Sequence, residues 1–169
     1  MQKTKALFLD RDGIINVDKS YVFKFSDIVW MAGIIELIKF AKSNNYLVIV
    51  LTNQSGIDRG YYQESDVIKL HQEMSDYLKS KGAEVDDWFY CPDLDSYDRK
   101  PNPGMMIKAR DKYNIDLSKS FMIGDKESDV LLIEGPKYII VEGNYNLSNL
   151  SRRATLVKNL DQALEILKK

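Results

Sequence analysis

Four short segments of this 169-residue chain carry side chains able to do chemistry. The first, Asp10-Arg11-Asp12-Gly13, follows the apolar run Ala6–Leu9 and holds two carboxylates two positions apart. In an extended segment residues i and i+2 share a face, and Gly13 lets the chain turn beneath a bound group. Two clustered carboxylates ask for a cation. Mg²⁺ suits them, because it is hard, prefers oxygen and takes few carboxylates plus a substrate phosphate.

The second segment, Leu51-Thr52-Asn53-Gln54-Ser55-Gly56, ends another apolar run with uncharged hydroxyl and amide donors, which can hold phosphoryl oxygens without neutralising a metal. In the third, Arg99-Lys100-Pro101-Asn102-Pro103-Gly104, prolines stiffen a loop bearing two cations. Lysine serves as a point charge on phosphate, and arginine as a planar fork that can grip a second anion. The fourth, Gly124-Asp125-Lys126-Glu127-Ser128-Asp129, brings carboxylates back and supplies a third metal ligand. Singly, each segment reads equally as a polar turn. Jointly they compose a phosphoryl-transfer site. One carboxylate attacks phosphorus and forms an aspartyl phosphate, while Mg²⁺, Lys100 and Thr52 offset charge on the equatorial oxygens. A second carboxyl protonates the leaving oxygen and later deprotonates water. Asp12 is placed for that second role, which leaves Asp10 as the nucleophile.

The elements that must position these groups are short. Apolar runs at Ala6–Leu9, Leu47–Leu51, Trp88–Tyr90, Phe121–Ile123 and Tyr138–Val141 read as buried strands. Helical periods separate them: Ile34 to Ala41, then Val67 to Leu78 closed by Gly82, Met106 to Tyr113, and a last helix opened by Asn159. The helix after Asp129 is expected to be short. Alternating strands and helices imply a parallel sheet covered on both faces, with ligands at the carboxyl ends of its strands. Residues 1–169 are expected to form one domain, since about 150 residues is the usual allotment.

Composition excludes several classes of function. Lys and Arg number 24 against 25 Asp and Glu, a net charge of −1, so no nucleic-acid or membrane partner is expected. One cysteine, Cys91, cannot make an internal disulfide, and with one histidine it cannot assemble a structural zinc site. No apolar run approaches the ~18 residues of a membrane span. A cytoplasmic setting is expected. His71 falls on the apolar stripe of the second helix and reads as core packing or a hydrogen bond on the helix.

DRDGIIN, LTNQSG, RKPNPGM and GDKESD resemble, in order, the four motifs of the haloacid dehalogenase superfamily of phosphatases. Together with NVDKSYV and NQSGIDRG they are most similar to its heptose 1,7-bisphosphate 7-phosphatases, and less so to its histidinol-phosphate phosphatases. The resemblance implies a Rossmann-like α/β/α fold without a cap domain. It assigns Asp10 as nucleophile and metal ligand, Asp12 as acid/base with a backbone metal contact, and Asp125 as a further Mg²⁺ ligand. Thr52 and Lys100 would hold the transferring phosphate, Arg99 would recognise substrate, and Lys126, beside the metal ligand Asp125, would also bind substrate. Arg11, Asp18, Lys19, Ser20, Tyr21, Asn53, Gln54 and Ser55 would line the sugar pocket. Most members of the family carry a zinc loop before the Arg-Lys pair; here it reads Cys91-Pro92-Asp93-Leu94-Asp95-Ser96-Tyr97-Asp98 and retains one cysteine, so zinc is not expected.

The resemblance implies a Mg²⁺-dependent phosphomonoesterase, expected to be monomeric, that takes a small phosphorylated sugar and removes the 7-phosphate of a heptose 1,7-bisphosphate during the synthesis of nucleotide-activated heptose. Histidinol phosphate or another small sugar phosphate is the alternative substrate. A receiver-type signalling domain also combines Asp, Mg²⁺, Thr and Lys, but it carries its phosphorylated Asp on a later strand, whereas here the acidic pair itself follows the first.

Overall fold

A computed structural model describes residues 3–169 of the chain. Six strands, β1 (Lys5–Leu9), β2 (Tyr46–Asn53), β3 (Asp87–Cys91), β4 (Phe121–Gly124), β5 (Lys137–Val141) and β6 (Ala154–Val157), form one sheet in the order β3-β2-β1-β4-β5-β6. Every pairing is parallel. Four α-helices accompany them: α1 (Ile34–Ser43), α2 (Glu64–Ser80), α3 (Gly104–Tyr113) and α4 (Leu160–Leu167).

Alternation within the strands divides the core into two layers. Leu7 and Leu9 of β1 face one way, with Val48, Val50, Ile123 and Ile139, and are covered by α1, α2 and α4. Ala6 and Phe8 face the other way, with Ile49, Leu51, Met122 and Ile140, and are covered by α3 and by Val130 and Leu131. β1, β2, β4 and β5 are thus apolar on both sides, which is why they appear in sequence as uninterrupted runs. Residues 127–129 form only a short 3-10 turn, so an irregular segment completes the second layer where a longer helix would otherwise lie. Residues 10–33, between β1 and α1, form a loop with one further 3-10 turn at Phe25–Asp27.

Local chemistry sets the helix ends. The Gln63 amide donates to Asp66 Oδ2 at 2.9 Å in a capping box that opens α2. Gly82, at φ +75°, turns the chain beyond its far end. Asn159 Oδ1 accepts from the Gln162 amide at 3.0 Å and opens α4. The strand that the apolar runs do not reveal is β6, an edge strand whose middle residues Thr155 and Leu156 are exposed.

The sheet order reverses between β1 and β4. Such a switch point leaves a crevice at the carboxyl ends of the strands, and there Asp10 and Asp125 emerge side by side. No helix among the described residues is long and apolar enough to cross a membrane. Leu7, fully buried in the strand at this junction, anchors the loop that carries Asp10, and Leu7→Ala should cost about 2–5 kcal/mol, measurable by urea unfolding. A cost under about 0.5 kcal/mol, the level of an exposed site, would contradict this packing.

Candidate active site

β1 carries the backbone directly into the site: the Asp10 amide extends the ladder by donating to Ile123 O at 2.9 Å. Across the switch point, β4 ends in Gly124 and delivers Asp125. The third motif arrives from the far side of β2, where Asn53 clamps it. Asn53 Nδ2 donates to Lys100 O at 3.1 Å and the Lys100 amide donates to Asn53 Oδ1 at 3.0 Å. Lys100 Nζ consequently lies 2.9 Å from Asp10 Oδ1 and 2.5 Å from Asp129 Oδ1. Asp129 is itself held by the Asp125 and Lys126 amides, each donating to Oδ2 at 3.1 Å.

Asp10, Asp125 and Asp129 are all buried, and their oxygens lie within 4.8 Å of one another. Burial, then the charge of Asp129, raises the Asp10 pKa despite Lys100. Burial, then the charge of Asp10, pushes Asp125 up to about 8. In both cases burial dominates, and Lys100 and the half-exposed Lys126 do not offset it against three carboxylates. Asp125 Oδ1 is buried without a hydrogen-bond partner. A hard divalent cation fits an all-oxygen site with an unpartnered carboxylate oxygen and excess negative charge, and Mg²⁺ meets that description.

Asp12 lies outside this acidic group. Arg11 Nη2 donates to its Oδ1 at 3.2 Å and its Oδ2 at 3.0 Å, Asn16 Nδ2 donates to Oδ1 at 3.0 Å, and Gln54 Nε2 donates to Oδ2 at 3.2 Å. Gln54 Nε2 also donates to Thr52 Oγ1 at 2.8 Å, and its Oε1 accepts from Tyr62 at 2.8 Å. Gly13, at φ +90°, turns the chain just beyond Asp12. An added Cβ there would lie 2.0 Å from Asp125 Oδ2, so only glycine permits this approach.

A cleft of about 320 Å³ opens beside Asp12. The expected residues Asp18, Ser20, Tyr21, Asn53, Gln54, Ser55, Arg99 and Lys126 line it. Ser20 and Tyr21 have φ of 60° and 54°, and the Asp18 carboxylate supports that bend by accepting from the Ser20 amide at 2.9 Å. Burial opposes the charge on Asp18, but Tyr145, the Ser20 amide and Lys126 hold its pKa below the ordinary value.

Two expected pocket residues point elsewhere. Arg11 is wholly buried, because Asp12, the Val22 carbonyl at 2.7 Å and His71 draw its guanidinium inward. Lys19 donates to the Asp27 carbonyl at 3.0 Å and stays out of the cleft. Gln54 reaches the cleft with its amide already committed to Thr52, Asp12 and Tyr62. Sequence reasoning also missed several groups. Asp129 was visible only as the last letter of its motif, and Asn16 as the residue four beyond Asp12. Arg59, Tyr62, Ser128 and Tyr145 complete the lining; Tyr145 donates to Asp18 Oδ2 and its ring lies under Lys126 Nζ at 4.5 Å.

A parallel α/β sheet with this acidic cluster at its switch point defines a phosphatase fold of haloacid dehalogenase type. Residues 5–148 match the family model described as polynucleotide kinase 3 phosphatase. A D-glycero-α-D-manno-heptose-1,7-bisphosphate 7-phosphatase from Campylobacter jejuni is 47% identical over 129 residues, 76% of this chain and 75% of the relative. A D-glycero-β-D-manno-heptose-1,7-bisphosphate 7-phosphatase from Helicobacter pylori is 47% identical over 135 residues, 78% of each chain. The crystal structure of D,D-heptose 1,7-bisphosphate phosphatase from B. bronchiseptica, complexed with magnesium and phosphate, superposes with a TM-score of 0.87 at 28% identity, covering 97% of this chain and 98% of that one. The chain belongs to the heptose 1,7-bisphosphate 7-phosphatase family of the haloacid dehalogenase superfamily.

A Cβ on Gly124 would lie 2.2 Å from Asp129 Cβ, Cγ and Oδ2. Gly124→Ala should therefore displace Asp129 from Lys100 and lower kcat by about 100-fold, the scale of one mispositioned charge stabiliser, in phosphate-release assays on folded protein. Burial, then the Arg11 charge, holds His71 well below its ordinary pKa of 6.5. The unfolded chain then binds a proton that the folded one refuses, so this stability is present above pH 6.5 and lost as pH falls below it. Urea unfolding at about pH 7.5 and about pH 5.5 should show a smaller acid loss in His71→Gln than in the parent.

Proposed function

We propose that this protein removes the 7-phosphate of D-glycero-D-manno-heptose 1,7-bisphosphate by way of an aspartyl phosphate on Asp10. The observation that carries the reading is the separation of Asp10, in the acidic cluster beside Lys100, from Asp12, in a collar of hydrogen-bond donors beside the cleft. Asp10 and Asp125 would hold Mg²⁺, with a backbone contact from Asp12; when bound, the ion offsets charge on the phosphoryl oxygens. An Asp10 carboxylate oxygen attacks phosphorus as the sugar oxygen departs, and Asp12 gives that oxygen its proton. Lys100 and Thr52 stabilise the equatorial oxygens. Asp12, now a carboxylate, takes a proton from water, whose oxygen attacks the phosphoaspartate, releasing phosphate and restoring both acids.

Arg59, Arg99 and Lys126 give the cleft positive charge suited to a substrate with a second phosphate. The names of the similar proteins supply the sugar, and nucleotide-activated heptose synthesis supplies the setting. We further take the chain to act as one domain, as a cytoplasmic monomer without nucleic acid, membrane or zinc. The balanced net charge and a 91–98 loop whose Cys91 Sγ lies 3.2 Å from Ser96 Oγ support that reading.

Phosphate release with Mg²⁺ should be compared on the α and β anomers of heptose 1,7-bisphosphate and on histidinol phosphate. One heptose anomer should have the highest kcat/KM; preference for histidinol phosphate would overturn the substrate. Asp10→Asn should lower kcat by on the order of 10⁴-fold or more, as loss of a nucleophile does, and a chelator should stop the reaction. An Asp10→Asn protein of undiminished activity would remove Asp10 as nucleophile.

A further inference from the structure

His71 lies in α2, outside every motif, yet it touches the catalytic collar. Its Nε2 is 3.2 Å from Arg11 Nη1. Arg11 in turn grips both oxygens of Asp12 through Nη2 and donates to Val22 O. Arginine remains protonated and has no acceptor atom, so His71 Nε2 must be the acceptor and the neutral ring carries its proton on Nδ1. The ring is fixed from behind by stacking on Trp88, with centroids 4.5 Å apart and planes 20° apart. Trp88 is itself held by Nε1 donating to Ser75 Oγ at 2.7 Å. Arg11 Nε is already buried without a partner. The guanidinium therefore has no spare acceptor when His71 is removed.

We propose that His71 is a positioning residue for proton transfer: through Arg11 it fixes the Asp12 carboxylate where the leaving oxygen receives its proton. This rests on the role given to Asp12 above. A buried N–H without an acceptor is costly, so loss of His71 makes the guanidinium move, and Asp12 moves with it. From Arg11, Asp10 accepts only the backbone amide, at 2.9 Å, and not the guanidinium; Lys100 donates to Asp10 and to Asp129, so a shift of the guanidinium spares attack on phosphorus. The expected defect depends on the leaving group. A sugar alkoxide departs slowly without a proton, whereas p-nitrophenolate departs readily without one.

The test compares kcat/KM, which covers the steps through departure of the leaving group, for heptose 1,7-bisphosphate and p-nitrophenyl phosphate. His71→Phe should lower kcat/KM for the sugar ester by about tenfold or more, the scale of a lost hydrogen bond to a charged group. The aryl ester should change by less than about threefold. His71→Gln, whose Oε1 can accept from Arg11, should recover most of the loss. Equal losses on both esters, or no loss on the sugar ester in a folded variant, would overturn the proposal. If His71→Phe loses its cooperative thermal transition, the smaller His71→Leu carries the same comparison. If the parent enzyme cleaves p-nitrophenyl phosphate but neither heptose anomer, the substrate assignment fails; glycerol phosphate then serves as the alkyl ester, and the role of His71 is decided separately.

Discussion

Lys100 sits between the carboxylates of Asp10 and Asp129, and this buried contact gathers the site. Lys100 is supplied by the loop before α3, Asp10 by the end of β1 and Asp129 by the turn after β4. The clamp from Asn53 brings in the end of β2. Without the lysine, three buried carboxylates would face each other across a low-dielectric crevice, an arrangement that proteins avoid by protonation or by binding a cation. With it, one negative charge is offset and the remainder is left for a metal ion. The contact thus serves folding and chemistry together, and it explains why the cluster can be nearly solvent-free.

Asp10 and Asp12 are two residues apart yet live in different electrostatic surroundings. Asp10 belongs to a cluster short of positive charge. Asp12 is surrounded by donors from Arg11, Asn16 and Gln54, which orient a carboxylate without burying it among other acids. Two neighbouring carboxylates acquire distinct roles through their environments. Just beyond Asp12, Gly13 at φ +90° lets Asp125 approach within the space a Cβ would fill.

The cleft wall is assembled from distant parts of the chain. Asp18, from the loop after β1, meets Tyr145, from the loop after β5, and Lys126, from the loop after β4. Their mutual contacts hold the wall in place where a folded cap domain is absent among the described residues. The irregular segment after residue 129 covers the second face of the sheet through Val130 and Leu131, so the β4 loop, and the acids on it, stay in place with no helix there.

Strands buried on both faces announce themselves as continuous apolar runs, so β1, β2, β4 and β5 were legible in the sequence, and with them the carboxyl ends where the motifs lie. β6 was not, because an edge strand with exposed central residues has no such run. The placement of Asp10, Asp12, Thr52, Lys100 and Asp125 at the sheet edge was legible because each ends a strand, follows one closely or stands in a constrained loop. Arg11 was misread, since sequence shows a cation beside two acids but not the side to which its guanidinium turns. His71, Asn16, Asp129 and Tyr145 acquire their roles from partners between 4 and 127 positions away, and no local period encodes such a meeting. Local pattern determined which groups stand at the sheet edge. Tertiary packing decided which of them face substrate and which hold the others, because hydrogen bonds between separate loops exist only once the sheet has brought those loops together.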